Sequence, residues 1–204
     1  MSAAPPPVAP GDVRLVALLR GVNVGGRTIP MAELRAVVAA SGARAVRTVL
    51  ASGNILLDVA EDTPRAEVRA DLERRISEAF GYDAHLALLP LDLTAALADA
   101  VPWPDDESAH GYVVVSTSPG RLAEAAAEAA AATEAGGGPS EDAVEAWQTP
   151  PAPLAGRLAE EGLDTLVWRC PRGSSLTTPL AKVLARSRYR AATTRNVRTL
   201  RRLA

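Results

Sequence analysis

Short apolar runs alternate with helical patterns along the first ninety residues. The run VRLVALL at residues 13–19 is bounded by glycines and predicts a buried strand. Apolar residues at spacings of three and four then predict a helix that begins after Pro30 and ends near Gly42: Met31, Leu34 and Val38. Next, VRTVL and ILLDV flank the turn residues 51–54, which is the pattern of a β-hairpin.

A second helical pattern follows the predicted hairpin. The Thr-Pro pair at residues 63–64 suits a helix start, and four apolar residues recur every four positions: Val68, Leu72, Ile76 and Phe80. Residues 84–90 predict a fourth strand, and residues 91–100 predict a short helix. Residues 12–90 therefore have the order βαββαβ of a ferredoxin-like sandwich.

The same order of elements returns in the second half of the chain. The predicted elements are a strand at 111–116, a helix from Ser118 to about Ala132, strands at 142–148 and 164–170, a helix from Thr178, a strand at 191–194 and a terminal helix capped by Asn196. We treat the proline-containing TPPAPLAGRLAEEG as the connection between two of these strands. The predicted fold class is α+β: two ferredoxin-like βαββαβ repeats, each a mainly antiparallel sheet with helices packed on one face.

The composition fits a globular chain of one or two domains. Its 204 residues are 48% apolar and 23% charged. The predicted organisation is a disordered tail at 1–11, a first repeat at 12–100, a connector at 101–110 and a second repeat at 111–204 with a basic C-terminal helix. A single cysteine excludes an internal disulfide, and no apolar run reaches the roughly 20 residues of a bilayer span. We therefore expect a cytoplasmic protein that does not enter membranes.

Charge is divided unevenly along the chain. Residues 1–98 carry 10 basic and 11 acidic side chains, residues 99–164 carry 2 and 13, and residues 165–204 carry 10 and none. The basic end can pair with the acidic middle of the same chain, or it can attract phosphates. Nucleic-acid binding is therefore an alternative function, through four C-terminal arginines: Arg195, Arg198, Arg201 and Arg202. The chain has only seven aromatic residues, so base stacking on a sheet, as in RNA-recognition domains, is not favoured.

Several segments resemble a known bacterial family. The segment ALLRGVNVGGRTIPMAELR, the segment VRTVLASGNILLD and the motif ATTRN at residues 192–196 are similar to the uncharacterised proteins grouped as domain of unknown function 1697. The family pattern usually has a tryptophan where this chain has Val197, and a basic residue where it has Ser174 or Ser175. The resemblance implies an α+β fold with ferredoxin-like repeats, and it implies no established activity.

Topology predicts a binding edge in the first repeat. In a βαββαβ sheet the end of the first strand, the start of the first helix and the hairpin turn share one edge, so loop 20–30 should lie beside turn 51–54. The proposed ligand-binding residues are Arg20, Asn23, Gly25, Gly26, Arg27, Ser52 and Asn54. Arginine donors, glycine amides and a helix start favour a phosphate or a carboxylate. In the alternative interpretation, the same residues only stabilise the loop and the hairpin turn and bind no ligand.

The sequence does not specify which ligand this edge binds or whether it catalyses a reaction. The loop has neither a Walker sequence nor a dinucleotide fingerprint, so no nucleotide is specified. An arginine loop with a nearby asparagine is similar to acylphosphatases, which makes phosphate hydrolysis a further alternative. A third class of function is self-association through the pseudo-repeats or the exposed sheet edges, with no ligand. We assign no catalytic residue, since His85 and His110 suit exposed structural roles and Cys170 suits a buried inert thiol, and we expect no cofactor or metal.

Overall fold

The computed structural model describes residues 6–22, 28–103, 107–135 and 145–203. Its elements, in chain order, are β1 (Asp12–Leu19), α1 (Met31–Ala39), β2 (Arg44–Val49), β3 (Asn54–Ala60), α2 (Arg65–Phe80), β4 (Leu86–Pro90), α3 (Leu91–Asp99), β5 (Ala109–Ser116), α4 (Arg121–Ala135), β6 (Ala146–Gln148), α5 (Ala152–Glu160), β7 (Asp164–Pro171), α6 (Pro179–Leu184), a 3-10 turn (Ser187–Tyr189), β8 (Ala192–Asn196) and α7 (Val197–Arg201). The predicted fold class is confirmed. The chain divides into two compact units at Thr94 and Ala95, within α3.

The first unit is an antiparallel sheet in the strand order β2-β3-β1-β4. This is the order of a ferredoxin-like sheet, in which the central β1 and β3 pair along their whole length. Its helices pack on one sheet face, because alternate β1 residues and the apolar stripes of α1 and α2 share a core cluster: Leu15, Ala17, Leu19, Leu34, Val38, Leu72 and Ile76. Of the stripe predicted for α2, Leu72 and Ile76 are buried and Val68 and Phe80 are partly buried against the same cluster. The helix ends at Gly81 in the left-handed conformation.

The second unit repeats this arrangement, with strand order β6-β7-β5-β8. Every pair in it is antiparallel. Its core lies between the sheet and the helices α4 and α6, around Trp168 and Tyr189. The second repeat has a helix, α5, between β6 and β7, where the sequence predicted a plain connection.

Helix α5 has a local physical cause. Pro151 stands at its N-cap position and Pro153 lies in its first turn, where a missing N–H costs nothing. Leu158 of this helix is buried, while its neighbours are exposed. The prolines that suggested a loop are therefore the start of an amphipathic helix.

Several predicted boundaries shift in the structure. The predicted strand 142–148 is seen as β6 at its last three residues, and residues 142–144 lie outside the described residues. Strand β5 begins at Ala109, so His110 lies in the sheet and not in the connector. Within the described ranges, no helix is long and apolar enough to cross a bilayer.

Candidate functional site

The end of β1 lies between the β2–β3 turn and the start of β4. The Leu19 N–H donates to the Gly53 carbonyl oxygen at 2.8 Å. The next residue, Arg20, donates its N–H to the His85 carbonyl oxygen, also at 2.8 Å. Two hydrogen bonds therefore fix Arg20 on the sheet edge that holds the turn, and we call this place the Arg20 edge.

Four residues of the predicted site cannot be placed. Asn23, Gly25, Gly26 and Arg27 lie outside the described residues. Arg20, Ser52 and Asn54 are described, and the Arg20 edge brings them together. Their roles as ligand-binding residues stay predictions.

Arg20 carries its positive charge in a partly desolvated position. The residue is half-buried, and burial lowers the pKa of its guanidinium. Removing water from a cation raises the free energy of its charged form. A nearby negative charge stabilises such a group more than it stabilises a fully hydrated arginine, because the effective dielectric constant is lower.

Asn54 serves the turn itself. Its side chain is fully buried, and its Nδ2 donates to the Val49 carbonyl oxygen at 3.0 Å and to Ser52 Oγ at 2.8 Å. An amide nitrogen has two hydrogens, so both are engaged inside the hairpin. The interpretation in which Asn54 shapes the turn is therefore supported by geometry, and Asn54 is a positioning residue of the Arg20 edge.

The turn comprises residues 50–53, since Asn54 is already the first residue of β3. Leu50 and Gly53 both have a positive φ, of 59° and 70°. A Cβ on Gly53 would lie 2.6 Å from Val22 Cγ2, so only glycine fits there. Leu50 is a bulky residue in a conformation that leucine rarely adopts, and 44% of its surface is exposed.

His85 belongs to the same edge, a position that was not predicted from the sequence. Strand β4 is antiparallel to β1, with Leu19 opposite Leu86, so residues just before β4 lie beside residues just after β1. The His85 side chain is 26% exposed, and its Nε2 lies 3.0 Å from Asp83 Oδ2. The signal that could have found it is topological, because the fourth strand of a βαββαβ sheet begins where the first one ends.

Helix α1 contributes less to the edge than the sequence suggested. Its N-cap is Pro30, which makes no side-chain capping hydrogen bond. Glu33 stands in its first turn and already places a negative charge near the helix start. Arg20 is therefore the principal positive group that the described residues bring to this edge.

The C-terminal arginines fall into two groups. Arg195 is buried, and its Nη1 donates to Thr193 Oγ1 and to the Thr194 carbonyl oxygen, both at 2.8 Å. Burial lowers the pKa of Arg195 to about 10. The arginines Arg198, Arg201 and Arg202 are exposed on and just after α7. Of the four arginines predicted to bind nucleic acid, these three are therefore exposed to solvent and Arg195 is not.

Part of the basic region pairs with the acidic middle of the chain. The Glu128 carboxylate of α4 accepts hydrogen bonds from Arg186, Arg188 and the Tyr189 hydroxyl. The Tyr189 Oη lies 2.6 Å from Glu128 Oε1. Internal pairing therefore accounts for two of the exposed arginines.

Other candidate groups do not form a site. Cys170 is buried, and burial together with Glu145 raises the pKa of its thiol to about 12. In the part of the chain that the structure describes, no group of three His, Cys, Asp or Glu side chains can hold a metal ion.

A cavity of about 320 Å³ lies at the other end of the first sheet, away from the Arg20 edge. Its lining includes Gly42, Arg44, Thr63 and Asp71.

Comparisons with known proteins agree with this fold. None of the curated proteins matches the chain. The conserved bacterial protein SP0830 from Streptococcus pneumoniae is similar in structure, with a TM-score of 0.65 and 23% identity over 94% of this chain and 97% of that one. At this identity the likeness shows the fold alone. The model of a protein family of unknown function, DUF1697, matches residues 13–143, which is more than half of the chain. The chain therefore belongs to the DUF1697 family.

Proposed function

We propose that the Arg20 edge binds a small ligand that carries a phosphate or carboxylate group. The observation that carries this proposal is the position of Arg20, which backbone hydrogen bonds hold between the β2–β3 turn and the start of β4. A guanidinium offers a planar fork of donors that matches the oxygens of both groups. The proposed site also includes loop and turn residues: Asn23, Gly25, Gly26, Arg27 and Ser52.

Partial burial of Arg20 supports a charged ligand. A cation that has lost part of its hydration gains more from an anion than an exposed cation does. Arg35 of α1 is such an exposed cation in the same unit. We therefore expect Arg20, and not the exposed Arg35 of α1, to decide ligand affinity.

His85 gives the edge a second group that can interact with an anion. Its imidazole sits 3.0 Å from the Asp83 carboxylate, which orients the ring. A protonated imidazole carries a positive charge and donates from both nitrogens, so Nδ1 can donate to a ligand while Nε2 donates to Asp83. The neutral ring has a single N–H, which donates to Asp83 and not to a ligand. The proposed role of His85 is to help orient the ligand that Arg20 binds.

Titration calorimetry at constant ionic strength tests the proposal, with inorganic phosphate, adenosine monophosphate and acetate as probes. Arg20→Ala should weaken binding of the best probe by about tenfold or more, as expected for a charge-assisted hydrogen bond. Arg20→Lys keeps the charge but loses the fork, so we expect an intermediate loss. Arg35→Ala is the matched control and should bind as the wild type does. Indifference of the wild type to all three probes, or an unchanged Arg20→Ala, rejects the proposal.

The acylphosphatase alternative has less support. It needs an asparagine amide that positions water, and both hydrogens of the Asn54 amide donate within the turn. Binding without hydrolysis is therefore the function that we favour. Turnover of acetyl phosphate by the wild type, lost in a folded Asn54→Ala variant, would favour hydrolysis instead.

Nucleic-acid binding is the second candidate function, and the exposed arginines of α7 favour it. Arg198, Arg201 and Arg202 lie within one short segment and are all exposed. Replacing these three by glutamine should abolish a salt-dependent gel shift with RNA or DNA if this function holds. Because charge alone gives weak and unspecific binding, the candidate predicts a steep salt dependence.

A further inference from the structure

Leu50 combines two features that rarely occur together. Its φ of 59° lies in the left-handed region, which glycine and asparagine adopt at little cost and leucine does not. Nearly half of its surface is exposed. Among the described residues, Leu50 is the only exposed leucine in this conformation. The turn therefore holds an apolar side chain outward at the expense of backbone strain.

Leu50 lies close to the Arg20 edge. The strand register sets Val49 opposite Asn54, and Asn54 opposite Leu18, in one row across β2, β3 and β1. Leu50 follows Val49, and Arg20 comes two residues after Leu18. Since neighbouring strands are about 4.8 Å apart, the backbones at Leu50 and Arg20 are on the order of 10 Å apart. An arginine side chain and a small ligand together span such a distance.

We infer that the ligand of the Arg20 edge carries an apolar group beside its anion, and that Leu50 contacts this group. The inference rests on the function proposed above and extends it to a ligand class, namely aryl or acyl compounds with a phosphate or carboxylate. Residues held in strained backbone conformations cluster at binding and active sites. Arg20 then supplies affinity for the anion, and Leu50 selects ligands with an apolar body.

Two probes that differ only in the apolar group test the inference: inorganic phosphate and phenyl phosphate, measured by titration calorimetry. The wild type should prefer phenyl phosphate. Leu50→Asn keeps the left-handed backbone but removes the apolar surface, so the preference should fall by about five- to tenfold. Leu176→Asn is the matched control, since Leu176 is 84% exposed in the second unit, and it should keep the wild-type preference.

The outcomes separate this inference from the proposed function. An unchanged preference in Leu50→Asn, with phosphate binding still lost in Arg20→Ala, rejects the role of Leu50 and leaves the anion site standing. If the wild type binds neither inorganic phosphate nor phenyl phosphate, both the role of Leu50 and the anion site are rejected. A higher melting temperature of Leu50→Asn shows that the variant folds and that the strain at Leu50 is real.

Discussion

The Asn54 side-chain amide and the Val49 carbonyl oxygen form a hydrogen bond of 3.0 Å across the mouth of the β2–β3 turn. The two residues are also cross-strand partners, so this bond joins the last residue of β2 to the first residue of β3. The second amide hydrogen reaches Ser52 inside the loop. One buried side chain thus fixes both ends and the interior of the turn beside Arg20.

Replacing this side chain should destabilise the protein. Asn54→Ala leaves the Val49 carbonyl without its side-chain donor and opens a small cavity, so we expect a loss of about 2–3 kcal/mol in the free energy of unfolding. Ser52→Ala removes one acceptor at an exposed position and should cost about 1 kcal/mol or less. Urea unfolding of both variants measures the difference. Equal costs would show that the buried Val49 bond contributes nothing.

Gly53 should tolerate no side chain. Its φ of 70° is strained for alanine, and the added Cβ would lie 2.6 Å from Val22 Cγ2 and 3.0 Å from Leu19 Cβ. We expect Gly53→Ala to lower the free energy of unfolding by about 2–4 kcal/mol, from backbone strain and steric overlap together. Gly120 has a φ of 76° and open space around it, so Gly120→Ala isolates the strain at about 1 kcal/mol. Thermal denaturation of both variants should show the larger shift for Gly53→Ala.

The sequence predicts most of the fold because the strands and helices of the first repeat have a clear periodicity. The four-residue spacing in α2 predicts a helix, and the short apolar runs of β1 and β3, bounded by turn residues, fit strands better than helices. Helix α5 has two leucines at helical spacing, Leu154 and Leu158, which is a weaker apolar pattern than the four residues of α2. Its prolines also resemble a loop, so a local pattern could not separate the two structures.

The candidate site is predictable in position but not in detail. The βαββαβ order suffices to bring Arg20 beside the turn, because antiparallel pairing fixes which ends share an edge. Whether Asn54 donates to a ligand or to the turn depends on its burial and on the register of β2 and β3. Neither can be read from the sequence. His85 was expected to have an exposed structural role, although the antiparallel pairing of β4 with β1 in a βαββαβ sheet implies its place at this edge.

Cys170 should be inert in the folded protein. Its thiol is buried, and its pKa is raised to about 12 by burial and by Glu145, so almost no thiolate is present near neutral pH. Labelling with a maleimide at pH 7.5 should be slow in native buffer and fast in urea. Complete labelling of the native protein within seconds would contradict the buried position. The protein unfolded in urea provides the control for reagent quality.

Acid should weaken the contact between α4 and the segment after α6. The hydrogen bond from Tyr189, together with the charges of Arg188 and Arg186, holds the pKa of Glu128 below its ordinary value of 4.5. A carboxyl whose pKa is lower in the folded state stabilises that state above the unfolded pKa. The contribution is lost as the pH falls through the folded pKa. The stability gained from Glu128 is therefore present at pH 6, begins to fall below about pH 4.5 and is lost as the pH drops through the lower pKa of the folded state.

Glu128→Gln should separate this effect from general acid denaturation. At pH 6 the variant should unfold at a lower urea concentration than the wild type, because the glutamine carries no charge for Arg186 and Arg188. Towards pH 3 the two proteins should approach each other, since the stabilisation by the wild-type carboxylate is lost as the pH falls below 4.5 and towards its folded pKa. Glu160→Gln, an exposed position on α5, controls for the loss of one surface charge. A gap between wild type and Glu128→Gln that stays constant from pH 6 to pH 3 would show that this carboxylate is not linked to folding.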